Sequence, residues 1–299
     1  MGEIVAKSKT VFRLILRILP QEQFDATDSF ENKFGCPSFQ TRDLLQLAKE
    51  LELRVDGVSF HVGTGIKDPR AYIATLKQSR DVFEIARGIG FNMKLLDIGG
   101  GFPGVQNTSD FFREITNVVN ETLDDIFPPA EGVDIIAEPG RYVVASAYNV
   151  VVNIIGKRFF PENPLLRETG NATVKDICEG DSNTVMYYVN DSVFGSFLAG
   201  GLYEPGSIRY VPKLIKCEDD AVSHESMIWG FTCPPKDCLN PSVRMPELGV
   251  GDWLYFEDMG AYTNSISSNF NGLETPEIKY FCLESLWFEV FSGQPQRNE

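Results

Sequence analysis

The first half of the chain alternates short apolar runs with longer stretches in which apolar residues recur at helical spacing. The apolar runs predict strands over residues 11–16, 55–62, 94–98 and 133–137. The helical spacing predicts helices over residues 42–51, 68–88 and 109–127. Parallel strands need a crossover helix between them, so this alternation predicts βα units in a parallel sheet. Because the strands are apolar throughout, we expect both faces of the sheet to be buried.

After residue 147 the pattern changes to short β-rich runs separated by Gly, Pro, Asn and Asp. These runs predict strands over residues 148–155, 184–190, 207–211, 253–256 and 277–283. Residues 161–182 are polar and predict an exposed loop. The chain is therefore predicted to contain an α/β domain over residues 1–147 and an all-β domain over residues 148–299.

The first domain has too few strands to close a barrel by itself. An eight-stranded βα barrel takes about 250 residues, and only four strands of that kind precede the β domain. Polar or glycine residues follow these strands at His61, at Gly99–Gly101 and at Glu138. Barrel active sites are built at this end of the strands. The sequence therefore predicts the C-terminal half of a (β/α)8 barrel followed by a β-sandwich or barrel-like domain. A small doubly wound sheet is the alternative.

Composition and charge narrow the classes of partner. Hydrophobic residues make up 43% of the chain and charged residues 23%, which is typical of a globular protein with a sizeable core. The net charge of −15 argues against nucleic acid or an anionic membrane as the main partner. This charge is compatible with a cationic small substrate, and also with a solvated acidic surface that has no specific partner.

The cysteines and the absence of targeting signals point to the cytoplasm. The six cysteines form no CxxC pair and only two histidines are present, so we expect no metal site. The cysteines are also too sparse for a secreted disulfide scaffold, so reduced thiols are expected. No signal-peptide cleavage site follows the N-terminal apolar run, and residues 143–156 are too few to span a bilayer.

The segment LDIGGGFPG places Gly99, Gly100 and Gly101 directly after a predicted strand. Glycines let the backbone turn freely and approach a ligand closely. Backbone N–H groups that converge in such a turn can bind a phosphate. A plain tight turn is the alternative, because the segment matches neither the dinucleotide-binding GxGxxG pattern nor a P-loop.

The segment AEPGRY places Glu138, Gly140 and Arg141 after the fourth strand. A carboxylate that emerges from a buried strand is costly unless it is paired or used. Glu138 can meet the protonated ring nitrogen of a cofactor, and Arg141 can contact its phosphate. A structural Glu–Arg pair is the alternative.

Four further residues are candidates for the same chemistry. The ring of His61 can stack on a planar cofactor, and the hydroxyl of Thr64 can donate to a phosphate. Cys233 follows an aromatic-rich strand, and the phenol of Tyr262 can reach a phosphate. Each also has a purely structural interpretation: a core histidine, a small buried thiol, or a tyrosine that caps the sheet.

Taken together, seven motifs resemble the eukaryotic ornithine decarboxylases, a group IV pyridoxal-phosphate-dependent decarboxylase family that includes the antizyme inhibitors. The motifs are SFHVGTG, LLDIGGGFPG, IIAEPGRY, YYVNDSVFGSF, WGFTC, VGDWLYFEDMGAYT and SNFNG. The resemblance implies an alanine-racemase-like barrel that binds pyridoxal 5'-phosphate, a C-terminal β domain and a homodimer with shared active sites. The implied reaction is decarboxylation of L-ornithine to putrescine in polyamine biosynthesis.

The resemblance also implies roles for the candidate residues at the phosphate and the ring face of the cofactor. His61 would stack on the ring. Thr64, which stands where the family typically has Ser, would touch the phosphate. Gly99–Gly101 would cradle the phosphate, and Arg141 and Tyr262 would add contacts to it.

Other implied roles concern the ring nitrogen and the substrate. Glu138 would pair with the pyridine nitrogen, with Gly140 in the same corner of the site and Arg13 as the family's arginine near that acid. Cys233 would reach across the dimer and help deliver a proton to the product. Phe270 would line the substrate pocket.

Three departures from the family pattern put activity and substrate in question. No PFYAVKCN-like segment, which carries the family's cofactor lysine, is present, so we expect an N-terminally truncated chain with impaired turnover. Pro234 replaces the Asp that follows the active-site Cys, and Asp237 lies nearby. The substrate-binding Tyr-Asp pair is Tyr203-Glu204 here. The alternatives are therefore a non-catalytic regulator that resembles the antizyme inhibitors and binds antizyme, or a decarboxylase of another amino acid.

Overall fold

The computed structural model describes residues 13–27, 33–105, 108–160, 184–199, 210–215 and 222–291. Its first sheet has four parallel strands in chain order, which confirms the predicted half-barrel. The strands are β1 (Leu14–Arg17), β2 (Val55–Ser59), β3 (Leu95–Asp97) and β4 (Asp134–Ile136). Because all four run the same way, their C-terminal ends meet at one edge of the sheet.

Three helices connect these strands, as the helical spacing predicts. They are α1 (Ser38–Glu50), α2 (Arg70–Ile89) and α3 (Ser109–Ile126). Helix α2 ends at Gly90, which adopts the left-handed conformation that favours glycine. The apolar faces of these helices and of β2 and β3 form one core, in which Val58, Tyr72, Leu76 and Leu96 have no exposed surface.

The prediction that every strand of this sheet is buried on both faces is wrong for β4. This strand forms one edge of the sheet, and all three of its residues are exposed. Both isoleucines point partly into solvent, with Ile135 37% exposed and Ile136 44% exposed. A short helix, α4 (Gly140–Val144), continues from this edge.

The second half is the predicted all-β domain. A six-stranded sheet runs in the order β7-β10-β5-β6-β8-β9, and all its neighbours are antiparallel except the parallel pair β6 and β8. The strands are β5 (Val150–Phe160), β6 (Thr184–Val189), β7 (Lys213–Leu214), β8 (Ser223–Trp229), β9 (Cys238–Pro246) and β10 (Trp253–Phe256). Tyr187, Phe197 and Leu254 are fully buried at its core.

Several predictions in this half are wrong or fall outside the described residues. Residues 277–283 form no strand, and the helix α5 (Glu284–Phe291) follows them. Val211 is not in a strand, and residues 207–209 lie outside the described part, as do residues 161–182. Strands β8 and β9 were not predicted. A short apolar run has no unique period, so strand and helix are easily confused there.

The two sheets are separate along the chain. The first ends at Ile136 and the second begins at Val150, while the domain boundary at residues 147 and 148 stays a prediction. None of the helices within the described residues is both long and apolar enough to span a bilayer.

Candidate functional site

Gly100 lies at the point where three of the predicted site segments meet. A Cβ atom at Gly100 would lie 2.8 Å from Nε2 of His61 and 2.9 Å from the carbonyl oxygen of Glu138. These three residues follow β2, β3 and β4, whose C-terminal ends are adjacent. The structure therefore gathers the imidazole, the glycine turn and the Glu-Pro-Gly-Arg corner at one place, and a side chain at position 100 would fill it.

The backbone of the glycine turn requires glycine. Gly99 and Gly101 have positive φ angles of +63° and +100°, which side chains rarely adopt. A Cβ at Gly99 would also lie 2.0 Å from the carbonyl oxygen of Phe60. The hydroxyl of the buried Tyr72 donates to the carbonyl oxygen of Gly100 at 3.0 Å. The turn is thus held rigidly in a shape that leaves no room for side chains.

Asp97, which the sequence analysis did not select, joins the glycine turn to Glu138. Its Oδ1 accepts a hydrogen bond from the backbone N–H of Gly99 at 2.9 Å. Asp97 also acts on the carboxyl group of Glu138, whose pKa it raises. The signal in the sequence was an acid two residues before the first glycine.

The pKa of Glu138 is raised above its ordinary value. Partial burial is the first cause, and the negative charge of Asp97 and the hydrogen bond to it add to the effect. The positive charge of Arg17 acts in the opposite direction. Glu138 is therefore held between the negative charge of Asp97 and the positive charge of Arg17.

Arg17, and not Arg13, is the arginine that acts on Glu138. Arg13 precedes β1, and its Nε donates to Asp56 Oδ2 at 2.5 Å, near the start of β2. Arg54 binds the other oxygen of Asp56. Arg17 is the last residue of β1, at the end of the sheet where Glu138 lies. Arg13 lies four residues from Arg17, about 13 Å along an extended strand, at the other end of β1. The role predicted for Arg13 at the cofactor stays a prediction.

Arg141 connects α4 with the β domain. Its guanidinium carbon lies 5.0 Å from the centre of the Tyr262 ring, a cation–π contact. Tyr262 adopts a left-handed backbone conformation with φ of 56°, and its side chain is half exposed. The open space beside Gly140, with no atom within 4 Å of its would-be Cβ, leaves this corner accessible.

The imidazole of His61 has a fixed orientation. Its Nδ1 accepts a hydrogen bond from the backbone N–H of Gly63 at 3.0 Å, so in the neutral ring the proton is on Nε2, next to Gly100. Thr64 follows in the same loop and is partly buried. The role of each as a cofactor ligand stays a prediction.

A second group of candidates lies on the β domain. The ring of Phe270 stacks on that of Phe194 with centroids 4.3 Å apart. Nδ2 of Asn271 lies 3.7 Å from Sγ of Cys233 and donates to it. Cys233 is exposed, and the expectation that it reaches across a homodimer stays a prediction.

Asp237 has a structural role and cannot replace the acid lost at Pro234. It is 1% exposed, and its carboxylate accepts hydrogen bonds from the backbone N–H groups of Val193 and Thr232, each at 2.9 Å. The hydroxyl of Thr232 donates to it as well. The other predicted substrate residues, Tyr203 and Glu204, lie outside the described residues.

The raised pKa of Glu138 predicts a pH-dependent stability. Between its ordinary value of 4.5 and the raised value the folded chain binds more protons than the unfolded chain. The contribution to stability is therefore complete below the ordinary value and lost as pH rises through the raised value. We expect the Glu138→Gln variant to lack this loss of stability with rising pH. The measurement is the free energy of unfolding in urea, from pH 4.5 to neutrality.

A suitable control is Glu247→Gln. Lys157 binds Glu247 at 2.5 Å and lowers its pKa, so this pair contributes stability that is lost as pH falls. The two variants should change the pH profile with opposite sign. If Glu138→Gln leaves the slope of the wild-type profile unchanged, the pKa of Glu138 is not raised in the folded chain.

Two family models match the two halves of the chain. Residues 3–145 match the family model described as pyridoxal-dependent decarboxylase, pyridoxal binding domain. Residues 108–260 match the one described as pyridoxal-dependent decarboxylase, C-terminal sheet domain. An ornithine decarboxylase of Cricetulus griseus is 44% identical over 278 residues, which are 93% of this chain and 58% of that protein.

Two further relatives extend the comparison. Antizyme inhibitor 2 of Xenopus laevis is 42% identical over 288 residues, which are 96% of this chain and 60% of that protein. The crystal structure of the arginine decarboxylase of Paramecium bursaria Chlorella virus superposes with a TM-score of 0.76 at 32% identity, covering 91% of this chain and 66% of that one. The chain thus spans about three-fifths of the length of the curated relatives it matches.

Proposed function

Because the chain belongs to the pyridoxal-dependent decarboxylases, we propose that it forms the C-terminal half-barrel and β domain of an enzyme that decarboxylates L-ornithine to putrescine. The observation that carries this proposal is the meeting of His61, the glycine turn and Glu138 around Gly100. A plain structural turn has no need of an imidazole and a carboxyl group with a raised pKa at the same point.

The residues present fit pyridoxal 5'-phosphate. Gly100 and Gly101 offer a backbone without side chains, which suits a phosphate, while the N–H of Gly99 is bonded to Asp97. Arg141 and Tyr262, already in contact, can add charge and a hydroxyl donor there. Glu138, whose pKa is raised, could transfer a proton to the ring nitrogen of the cofactor and then accept a hydrogen bond from that nitrogen. His61, fixed by Gly63, presents a ring that can cover the cofactor.

The protein's part in the reaction is orientation and proton handling. The cofactor, when bound, withdraws electrons from the substrate carbon that loses carbon dioxide. Glu138 would pair with the ring nitrogen, and the positive charge of Arg17 opposes the effects that raise the pKa of this carboxyl group. Cys233 donates a proton to the product carbon, and the hydrogen bond from Asn271 holds its sulfur in place.

The substrate end of the site differs from the family pattern. Pro234 supplies no charge, and Asp237 is buried with its oxygens occupied. By resemblance to the family, Glu204 and Tyr203 are the proposed contacts of the distal ammonium of ornithine, and Phe270 is the proposed contact of its methylene chain. One acid instead of two predicts weaker binding of ornithine, by about tenfold or more for a lost charge-assisted hydrogen bond.

We place the active sites at the interface of a homodimer and the protein in the cytoplasm. Cys233 and Phe270 are exposed on the β domain, which suits residues that serve the site of a second copy. Cys36, Cys233, Cys238 and Cys282 are free thiols, in accord with a reducing compartment.

The test of the reaction is a fusion protein. In one polypeptide, the part of the Cricetulus griseus ornithine decarboxylase that this chain does not match precedes this chain. We expect the fusion to bind pyridoxal phosphate with the visible absorbance of a bound cofactor, and to release carbon dioxide from ornithine faster than from lysine or arginine. Cys233→Ala should lower kcat about 100-fold while cofactor absorbance stays, since a proton donor contributes at this scale. A folded fusion without cofactor absorbance contradicts the proposal.

A second candidate function is favoured by the loss of substrate charge at Pro234. A chain that turns over substrate slowly can instead bind antizyme, which is the activity that the name of the antizyme inhibitors indicates. This candidate predicts tight binding of antizyme to the chain and no carbon dioxide release from any diamino acid by the fusion. Absence of antizyme binding in a pull-down with purified proteins excludes it.

A further inference from the structure

The side chain of Tyr72 fixes the middle of the glycine turn. Tyr72 lies in the first turn of α2, where its N–H donates to the carbonyl oxygen of Pro69 at 3.0 Å. The side chain has no exposed surface, and its hydroxyl donates to the carbonyl oxygen of Gly100 at 3.0 Å. Burial raises the pKa of this hydroxyl well above its ordinary value of 10.0, so the hydroxyl keeps its proton and remains a donor.

The bond from Tyr72 also sets the direction of the Gly101 N–H. The carbonyl of Gly100 and the N–H of Gly101 belong to one peptide unit, and the described residues contain no cis peptide bond. In a planar trans peptide these two groups point in opposite directions. The carbonyl points at Tyr72, so the N–H of Gly101 points away from it.

Two N–H groups of the turn are available to a ligand. Within the described residues, neither Gly100 nor Gly101 donates its N–H to an acceptor, whereas the N–H of Gly99 donates to Asp97. Gly100 is buried, and a buried N–H in a native protein almost always has an acceptor. These two groups therefore indicate a ligand with acceptor oxygens, in accord with a phosphate.

Three further aromatic rings connect Tyr72 with the segment that carries Arg141. The ring centroid of Phe102 lies 5.4 Å from that of Tyr72, and the centroid of Phe112 lies 6.3 Å from that of Phe102. The ring of Tyr142 stacks on that of Phe112 with centroids 4.1 Å apart. We call these four rings the aromatic ladder. It joins α2, the residue after the glycine turn, α3 and α4.

The backbones of the two segments are in contact as well. A Cβ added at Gly104 would lie 2.3 Å from the carbonyl oxygen of Arg141 and 2.5 Å from Cα of Tyr142. Aromatic pairs of this geometry contribute more than the apolar area that they bury, and close-packed groups resist displacement. The aromatic ladder therefore keeps the glycine turn and the Arg141 segment at a fixed separation.

We propose that Tyr72 is a positioning residue for the cofactor phosphate, and that the aromatic ladder directs the glycine N–H groups and the guanidinium of Arg141 to one anion. This inference rests on the proposed function, because it concerns the same site. Tyr72 acts through Gly100 and contacts no ligand itself. Donors that are fixed before binding lose less conformational freedom when the ligand arrives, so they bind it more tightly.

A purely structural role of Tyr72 is the competing interpretation. A loss of general stability would weaken the binding of every ligand of the site to the same degree. A role in positioning the phosphate donors weakens only the contribution of the phosphate group. The two interpretations are therefore separated by comparing ligands that differ in that group alone.

The test compares the binding of pyridoxamine 5'-phosphate and of pyridoxamine to the purified full chain by isothermal titration calorimetry. The dissociation constant of pyridoxamine divided by that of pyridoxamine 5'-phosphate measures what the phosphate contributes. We expect Tyr72→Phe to lower this ratio about fivefold, since one hydrogen bond of ordinary net strength contributes at this scale. The affinity for pyridoxamine should stay unchanged.

Tyr187→Phe is the matched control. Tyr187 is also fully buried, and its hydroxyl accepts a hydrogen bond from the N–H of Leu248 at 2.8 Å, but it lies in the core of the β domain. This variant should leave the ratio unchanged. Phe112→Leu is a second variant, which interrupts the aromatic ladder and keeps the Tyr72 hydroxyl. It should lower the ratio as well, because Arg141 is then held less firmly.

The outcomes distinguish this inference from the proposed function. A wild-type chain that binds neither compound, or binds both equally, contradicts the proposed function and this inference together. A wild-type chain that prefers the phosphorylated compound, with the same ratio in Tyr72→Phe, contradicts this inference alone. Equal losses of affinity for both compounds in Tyr72→Phe, or a ratio lowered as much by Tyr187→Phe, also overturn it.

Discussion

Replacing Gly99 by alanine is expected to lower the free energy of unfolding by at least about 2 kcal/mol and to destroy the turn around which the candidate site is built. Two causes add. The φ angle of +63° is strained for any residue with a Cβ, and the new Cβ would lie 2.0 Å from the carbonyl oxygen of Phe60. Neither the turn nor β2 can move away, because Gly99 is bonded to both Asp97 and Glu138.

The measurement is urea-induced unfolding followed by circular dichroism, with Gly88→Ala as the control. Gly88 is in helix α2, and no atom lies within 4 Å of its would-be Cβ. Alanine there should raise stability by up to about 1 kcal/mol, since glycine is a poor helix former. Equal stability of Gly99→Ala and the wild-type chain would show that the turn adopts another conformation in solution.

Replacing Asp237 by alanine is expected to destabilise the β domain by about 3 kcal/mol or more. The change leaves the N–H groups of Val193 and Thr232 and the hydroxyl of Thr232 without their acceptor in a buried place. Hydrogen bonds to a charged group contribute about 1.5–3 kcal/mol each. The chain packs closely around this carboxylate, because a Cβ added at Gly230 would lie 2.3 Å from its oxygen atoms.

This variant also separates a structural role from a substrate role. Asp43→Ala, at an exposed position in helix α1, is the control and should change stability by less than about 0.5 kcal/mol. If Asp237 instead held the distal ammonium of a substrate, Asp237→Ala would keep its stability and lose only substrate affinity. An unfolding midpoint equal to that of the wild-type chain would therefore contradict the structural role.

The sequence predicted which residues meet at the site better than it predicted which other residues they contact. His61, Gly99–Gly101 and Glu138 were found because each follows an apolar run, and the ends of parallel strands meet. Arg13 was selected from the resemblance to the family, and only the observed bounds of β1 show that Arg17 ends this strand on the side where Glu138 lies. Asp97 was missed because the sequence around a strand end does not show which distant residue an acid there will contact.

The pattern of apolar and polar residues along the chain predicted the βα repeat and the change to β structure after the half-barrel. The residue types at particular positions gave the motifs that identify the family. Those features depend on periodicity and on residue type, which the sequence carries directly. The tertiary structure alone decided that β4 is an outer strand of the described sheet, that Asp97 acts on the carboxyl group of Glu138 and that Asp237 is buried. Each of these depends on which distant segments pack together, and burial and pairing arise from that packing and not from the local pattern.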